Sequence, residues 1–201
     1  RKNILLKNVS PEKLQAIGGT VSHQGVLAKV TAYPLAGTAD LLGTALSGSR
    51  PPFFLLLDHI VDPHNLGACL RSADGAGAHA VIAPRDRAGG LTPVVCKVAS
   101  GAAETMPFVQ VTNLARTIEI LKKAGVWVYG LAAGEGTRPL FEANLSGHLA
   151  LVVGREGEGL RQRTRQLCDV LLEIPMAGGV GSLNASCASA VTLFEAVRQR
   201  K

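Results

Sequence analysis

Aromatic side chains are scarce in this sequence, and residue clusters that signal a metal or redox centre are missing. Phe, Trp and Tyr together make up 4% of the chain. Isolated aromatics such as Trp127 and Phe194 are therefore expected in the core, not as base-stacking platforms. The four cysteines, Cys69, Cys96, Cys168 and Cys187, stand far apart with no C-x-x-C pair. That spacing argues against a zinc site and a disulfide framework; small, buried, reduced thiols are expected. The five histidines form no H-x-x-x-H or H-E-x-x-H pattern, so no metal is expected. No apolar run is long enough to span a membrane, because Phe53–Leu57 is followed at once by Asp58 and His59. No secretory leader is visible, and the first residue is Arg1 instead of Met, so a cytoplasmic protein cut from something longer is expected.

Positive charge, by contrast, is in surplus. Lys and Arg number 21 against 15 Asp and Glu, a formal net charge of +6. Such a surplus attracts polyanions, of which nucleic acid is the commonest; charge kept only for solubility is the alternative. With 47% hydrophobic and 18% charged residues over 201 positions, the composition is that of a globular chain with a sizeable core.

Three segments follow one another. Residues 1–33 read as the end of a small α/β unit: Ser10 caps a helix opened by Pro11, Gly18–Gly19 stops it, and Gly25 to Val30 alternates like an edge strand. Residues 34–52, rich in Gly, Ser, Thr and Pro, read as a linker with one apolar patch at Leu41–Leu42. From Phe53 to residue 201, strands and helices alternate. Phe53–Leu57 suits a strand buried on both faces, and Asn65 is placed to cap a helix that Gly77 ends. Ala80–Ala83 and Pro107–Val111 read as strands. Asn113 caps an amphipathic helix carrying Leu114, Ile118 and Leu121, with Gly125 as its stop. Val126–Leu131, Leu149–Val153 and Val170–Ile174 add three strands, and a helix from about Asn184 to Arg198 closes the chain. The expected class is α/β, a mostly parallel sheet flanked by helices.

In such sheets ligands gather beyond the carboxyl ends of the strands, and three of those loops are unusual. In the first, Asp62-Pro63-His64-Asn65-Leu66-Gly67-Ala68-Cys69-Leu70-Arg71, Arg71 would overhang a helix face that Gly67 leaves bare, suiting a phosphate or ribose. Taken alone, the loop reads more simply as an ordinary Asn cap followed by a surface arginine on a helix. The second, Gly154-Arg155-Glu156-Gly157-Glu158-Gly159, would let a ligand approach the backbone, or is a Gly-rich turn with solvated acids. It has neither the G-x-G-x-x-G order nor the G-K-[ST] of common nucleotide loops. The third, Ile174-Pro175-Met176-Ala177-Gly178-Gly179-Val180-Gly181-Ser182-Leu183-Asn184, leads into a helix whose first amides can hold polar ligand atoms. By themselves these loops indicate only a nucleotide-like ligand.

Together they resemble the three sequence motifs of the SPOUT methyltransferases, in the TrmH branch that methylates ribose 2′-hydroxyls. N-x-G-x-x-x-R is matched by Asn65, Gly67 and Arg71, and G-x-E-x-x-G by Gly154, Glu156 and Gly159. I-P-M-x-G-x-x-x-S-L-N-x-S is matched by Ile174, Pro175, Met176, Gly178, Ser182, Leu183, Asn184 and Ser186. Leu57 to Ala80, Val111 to Thr117 and Leu193 to Arg200 are further similar to bacterial enzymes that methylate a guanosine ribose of 23S ribosomal RNA. More faintly, Ser22 to Val26 resembles the end of their L30e-like RNA-binding domain. Gly179 and Gly181 stand where the family has Ser, and Cys187 where an apolar residue is expected.

The resemblance implies a C-terminal deep trefoil knot, rare among folds, clasping S-adenosylmethionine, with no metal. A homodimer would complete each site, and 23S ribosomal RNA, in its peptidyl-transferase P loop, would be the substrate. Gly154, Ile174 and Leu183, with Met176 and Leu131, would contact the cofactor. Arg71 would act with an RNA phosphate on the ribose hydroxyl. Asn65, Glu156, Ser182 and Asn184 would hold the parts in register, unless Glu156 merely pairs with a nearby arginine. Arg71, Arg155, Arg161 and Arg163 would meet RNA, with Arg165 extending the same basic surface. A guanidinium is already protonated at neutral pH and accepts protons poorly, so Arg71 is read as positioner and electrostatic stabiliser. A tRNA methyltransferase of the same fold, or a non-catalytic RNA-binding assembly factor, are the alternatives.

Overall fold

An unbroken apolar run makes a strand only where both of its faces are covered. Phe53–Leu57 is such a strand, every side chain at most 2% exposed, in the computed structural model, which describes residues 4–19, 23–29, 37–86 and 90–201. Two compact units divide at Pro34.

In the first unit, α1 (Pro11–Gly18) starts as expected: Ser10 accepts from the Lys13 amide, Pro11 occupies the first turn, and Gly19 ends the helix at φ +59°. No residue of α1 is buried. The edge strand expected over 25–30 is not formed by residues 25–29, and Val30 lies outside the described residues. Instead, the Gly25 amide donates to His23 Nδ1 (3.1 Å), so the His23 Nε2–H faces Gln15 Oε1 (3.0 Å).

The second unit carries a seven-stranded parallel sheet. Its strands are β1 (Phe53–Asp58), β2 (Ala80–Pro84), β3 (Phe108–Val111), β4 (Trp127–Leu131), β5 (Arg138–Pro139), β6 (Leu149–Gly154) and β7 (Val170–Glu173), in the order β3-β2-β1-β6-β4-β7-β5. Its helices are α2 (Thr38–Ser47), α3 (Pro63–Gly75), α4 (Pro93–Ala99), α5 (Ala102–Thr105), α6 (Leu114–Lys123), α7 (Gln162–Leu167) and α8 (Ala185–Gln199). Alternate β1 residues feed two cores. Phe53, Leu55 and Leu57 pack with residues of α3, α4, α5 and α8; Phe54 and Leu56 pack with α2 and α6. Each such buried Leu or Phe is worth about 1.5–3 kcal/mol relative to exposure.

Three expectations change here. The stretch 34–52, expected as a linker, holds α2, whose Ala45 is buried and whose Leu41 and Leu42 pack on the second core. The helix expected to start at Asn65 starts at Pro63, because Asp62 is the cap, accepting from the His64 amide; Gly77, at φ +68°, closes it as anticipated. Trp127 and Phe194, expected in the core, are 57% and 50% exposed. Trp127 begins β4, and Phe194 sits beside the inward-facing Leu193 on α8.

The cysteines are free thiols. Cys69 is buried, Cys96 and Cys168 are half-buried, and Cys187 is exposed, contrary to expectation. Burial pushes the Cys69 thiol up to about 11 and Cys168 to about 12. Among the described residues, no helix is long and apolar enough to cross a membrane, and no group of three His, Cys, Asp or Glu residues is gathered for a metal.

Candidate functional site

The β1–β6 pairing runs in register from Phe53 beside Leu149 to Asp58 beside Gly154. It therefore delivers the end of β1 to the start of the second glycine loop. The loops after β4, β6 and β7 enclose a cavity of about 610 Å³. Leu131, Gly154, Ile174, Met176 and Leu183, the five candidate cofactor residues, all line it, with Glu156, Ser182 and Arg155. Arg165, expected only as part of a basic surface, and Leu160 also line it, as do Ala132 and Glu173, which were not singled out in the sequence. Their position just past strand ends was the available signal.

The glycines of the second loop serve the chain itself. A Cβ on Gly154 would lie 2.2 Å from both the carbon and the oxygen of the Gly159 carbonyl, so the loop closes directly over this residue. Paired bonds seal it: Arg155 N–H donates to Gly159 O (3.1 Å) and Gly159 N–H to Arg155 O (2.7 Å). Gly157 and Gly159 have φ of +79° and +68°, where a side chain is strained. The sequence suggested ligand approach; the structure shows a tight return. In the third loop, Gly178, Gly179 and Gly181 have open space around a would-be Cβ, so serine fits at 179 and 181.

Asn184 joins two of the loops. Its Nδ2 donates to Glu156 Oε2 (3.0 Å), while its Oδ1 accepts from the backbone N–H (2.9 Å) and hydroxyl (2.6 Å) of Ser186, capping α8. Glu156 is thus held by an amide, and the arginine partner that the sequence left open for it is absent among the described hydrogen bonds and ion pairs. The neighbouring Arg155 instead pairs with Glu158 (2.8 Å), and Arg163 with Glu119 (3.0 Å). Both pairs are exposed and worth about 0–1 kcal/mol each, so a phosphate competes readily for these arginines. Arg165 donates to the Glu135 carbonyl (3.2 Å).

Arg71 and Asn65 are not among the residues lining the cavity. Arg71 is exposed on α3, and its Nη1 donates to Ser100 Oγ (3.3 Å) at the carboxyl end of α4. The face that Gly67 was expected to leave bare is filled by α4. A Cβ on Gly67 would stand 2.7 Å from Val98 Cβ and 2.8 Å from the Val95 carbonyl oxygen. Gly67 is there so that two helices can touch.

Asp58 is the buried acid that sequence reading passed over. Only 1% exposed, it accepts from His59 Nδ1 (2.8 Å) and from the backbone N–H of Arg161 (2.9 Å). It pins the second loop to the end of β1. Asp58→Ala leaves both donors unpaired, at about 1–3 kcal/mol each. A lower melting temperature together with weakened S-adenosylmethionine binding by calorimetry is expected; unchanged binding would show that the loop holds its shape without this anchor.

Comparisons with known proteins agree with this architecture. The sequence profile described as the SpoU rRNA Methylase family matches residues 52–194, and that described as RNA 2′-O ribose methyltransferase substrate binding matches residues 1–36. The 23S rRNA (guanosine-2′-O-)-methyltransferase RlmB of Ralstonia nicotianae is 58% identical over 189 residues, 94% of this chain and 75% of that protein. The protein of the same name from Pectobacterium atrosepticum is 51% identical over 199 residues, 99% and 81% of the two chains. Among solved structures, the SpoU methyltransferase AviRb from Streptomyces viridochromogenes, in complex with AdoMet, superposes with a TM-score of 0.70 at 30% identity. That match covers 77% of this chain but only 63% of AviRb. With the profile spanning well over half of the sequence and relatives above half identity along most of it, the chain belongs to the SpoU rRNA methylase family.

Proposed function

We propose that the chain transfers a methyl group from S-adenosylmethionine to the 2′-hydroxyl of a guanosine ribose in 23S ribosomal RNA, in the peptidyl-transferase P loop. The observation that carries this reading is the cavity at the carboxyl ends of β4, β6 and β7, where all five candidate cofactor residues meet. Its volume falls within the usual range for small-ligand sites, roughly 300–1,000 Å³. Leu131, Ile174, Met176 and Leu183 give apolar walls for an adenine, while Glu156, Ser182 and loop amides give polar partners for a ribose and an amino acid. The names of the RlmB relatives supply the substrate.

S-adenosylmethionine supplies an activated methyl group, so the reaction's difficulty lies with the hydroxyl: it must be aligned and must lose its proton. Arg71 holds the ribose and an adjoining phosphate and stabilises the oxygen as it gains negative charge. Ser100 steers the guanidinium, and Asn184, by gripping Glu156, keeps the second and third loops at a fixed spacing. Asn65 and Ser182 orient the ribose side of the site. Arg155, Arg161 and Arg163 extend the phosphate contacts.

Arg71 lies outside the cavity that would receive the methyl donor, which supports a homodimer in which one subunit's Arg71 serves its partner's cavity. The match to the SpoU rRNA methylase family, together with the three loop motifs, supports a trefoil knot in the C-terminal part. Residues 1–33 belong to an L30e-like RNA-binding domain, residues 35–201, with α2 included, form the catalytic domain, and the protein works in the cytoplasm. The deciding assay incubates the purified chain with radiolabelled S-adenosylmethionine and unmodified 23S RNA and transfer RNA, then maps the label by nuclease digestion. Label on a guanosine ribose of 23S RNA is expected. Label confined to transfer RNA would overturn the substrate, and no label despite cofactor binding would overturn the activity.

A further inference from the structure

His59 has a backbone conformation that few residues with a side chain adopt. Its φ is +65°, in the left-handed region, which histidine, like Asn and Asp, enters more often than most residues but still uncommonly. Such conformations persist where the surroundings enforce them, and they concentrate at ligand sites. Asp58 holds the side chain in place: its Oδ1 takes the Nδ1 hydrogen at 2.8 Å while Oδ2 holds the Arg161 amide. The imidazole is thereby fixed with Nε2 as its free nitrogen. It lines a second cavity, of about 420 Å³, together with Asp58, Val61, Arg155, Glu158 and Arg161. Arg155, Glu158, Gly159 and Leu160 line both this cavity and the larger one, so the two lie on either side of a single loop.

We propose that this cavity is a phosphate subsite for the RNA substrate, in which His59 and Arg161 grip a phosphodiester next to the methylated ribose. The inference rests on the reading of the chain as an RNA methyltransferase. The charged and titratable groups facing His59 there are Asp58, Arg155, Glu158 and Arg161. Asp58 is fully engaged with His59 and the loop, and Glu158 is paired with Arg155. Arg161 has no carboxylate partner among the described residues and is free to meet an anion. With its Nδ1–H given to Asp58, the ring leaves Nε2 as the nitrogen through which it would meet a phosphate oxygen.

His59→Gly is the appropriate test, because glycine accepts φ +65° without strain, which offsets part of the cost of leaving the buried Asp58 Oδ1 without its partner, and a melting curve checks that the variant is folded. With S-adenosylmethionine saturating and 23S RNA varied, KM for RNA is expected to rise about fivefold to tenfold with kcat near wild type, and the salt dependence of RNA binding to fall by about one phosphate contact. Unchanged KM and salt slope overturn the proposal. A fall in kcat at constant KM also overturns it and makes His59 a participant in proton removal. Weaker binding of S-adenosylmethionine alone, by calorimetry, gives the cavity to the carboxylate of the methyl donor and overturns the RNA assignment. Should the unaltered chain methylate no RNA at all, the underlying reading fails and the subsite with it.

Discussion

Replacing Arg71 by alanine is expected to lower methyl transfer to 23S RNA by at least about a hundredfold while leaving S-adenosylmethionine binding unchanged, the size seen when a single charge-stabilising donor is removed from an active site. The separation follows from geometry. Arg71 is exposed, on the outer side of α3, and is absent from the lining of the cavity. Its loss neither opens a void in the core nor removes a wall from the ligand site. Single-turnover transfer and calorimetry on the same preparation measure the two effects. Arg71→Lys keeps the charge but loses the planar fork, so only partial recovery is expected. Parallel loss of transfer and cofactor binding would remove Arg71 from its proposed role and make it a structural residue.

Gly154→Ala is expected to act in the opposite way, through the fold of the cavity. The added methyl would coincide with the Gly159 carbonyl at 2.2 Å, and the obstacle is backbone, which cannot swing aside. Opening the turn breaks the paired bonds between Arg155 and Gly159 and drags Arg161 away from Asp58. Overpacking of this kind costs about 1–3 kcal/mol or more, and in a domain of this size about 2–4 °C of melting temperature accompanies each kcal/mol. Calorimetry should detect no binding of S-adenosylmethionine, while the sheet persists by circular dichroism. A variant that binds the cofactor normally would mean that the loop has a second, equally stable path.

Much of this architecture was legible before any coordinates. Strands buried on both faces are read from apolar runs such as Phe53–Leu57, and the helix capped by Asn113 is read from its period. Reading failed where small residues carry the packing. Leu41, Leu42 and Ala45 form a partly buried helical stripe within a stretch whose Gly, Ser and Thr content suggests a linker. Gly67 and Gly154 were recognised as meaningful, but sequence alone does not tell a glycine vacated for a ligand from one crowded by its own chain. Both prove to be the latter. Asp58 and His59 were noticed only as the end of an apolar run. Their pairing depends on Arg161, whose amide arrives from another strand's loop, and no local pattern announces such a partnership.

The insertion of β6 between β1 and β4 also constrains how the chain is born. As synthesis proceeds from the amino end, β1 emerges early and pairs with β2, but its other edge waits for β6, and β4 waits for both β6 and β7. Those strands keep unpaired edges until most of the chain has left the ribosome, which favours slow closure and exposes sticky backbone in the interval. A protein proposed to modify ribosomal RNA would thus spend its own longest vulnerable moment at the mouth of a ribosome.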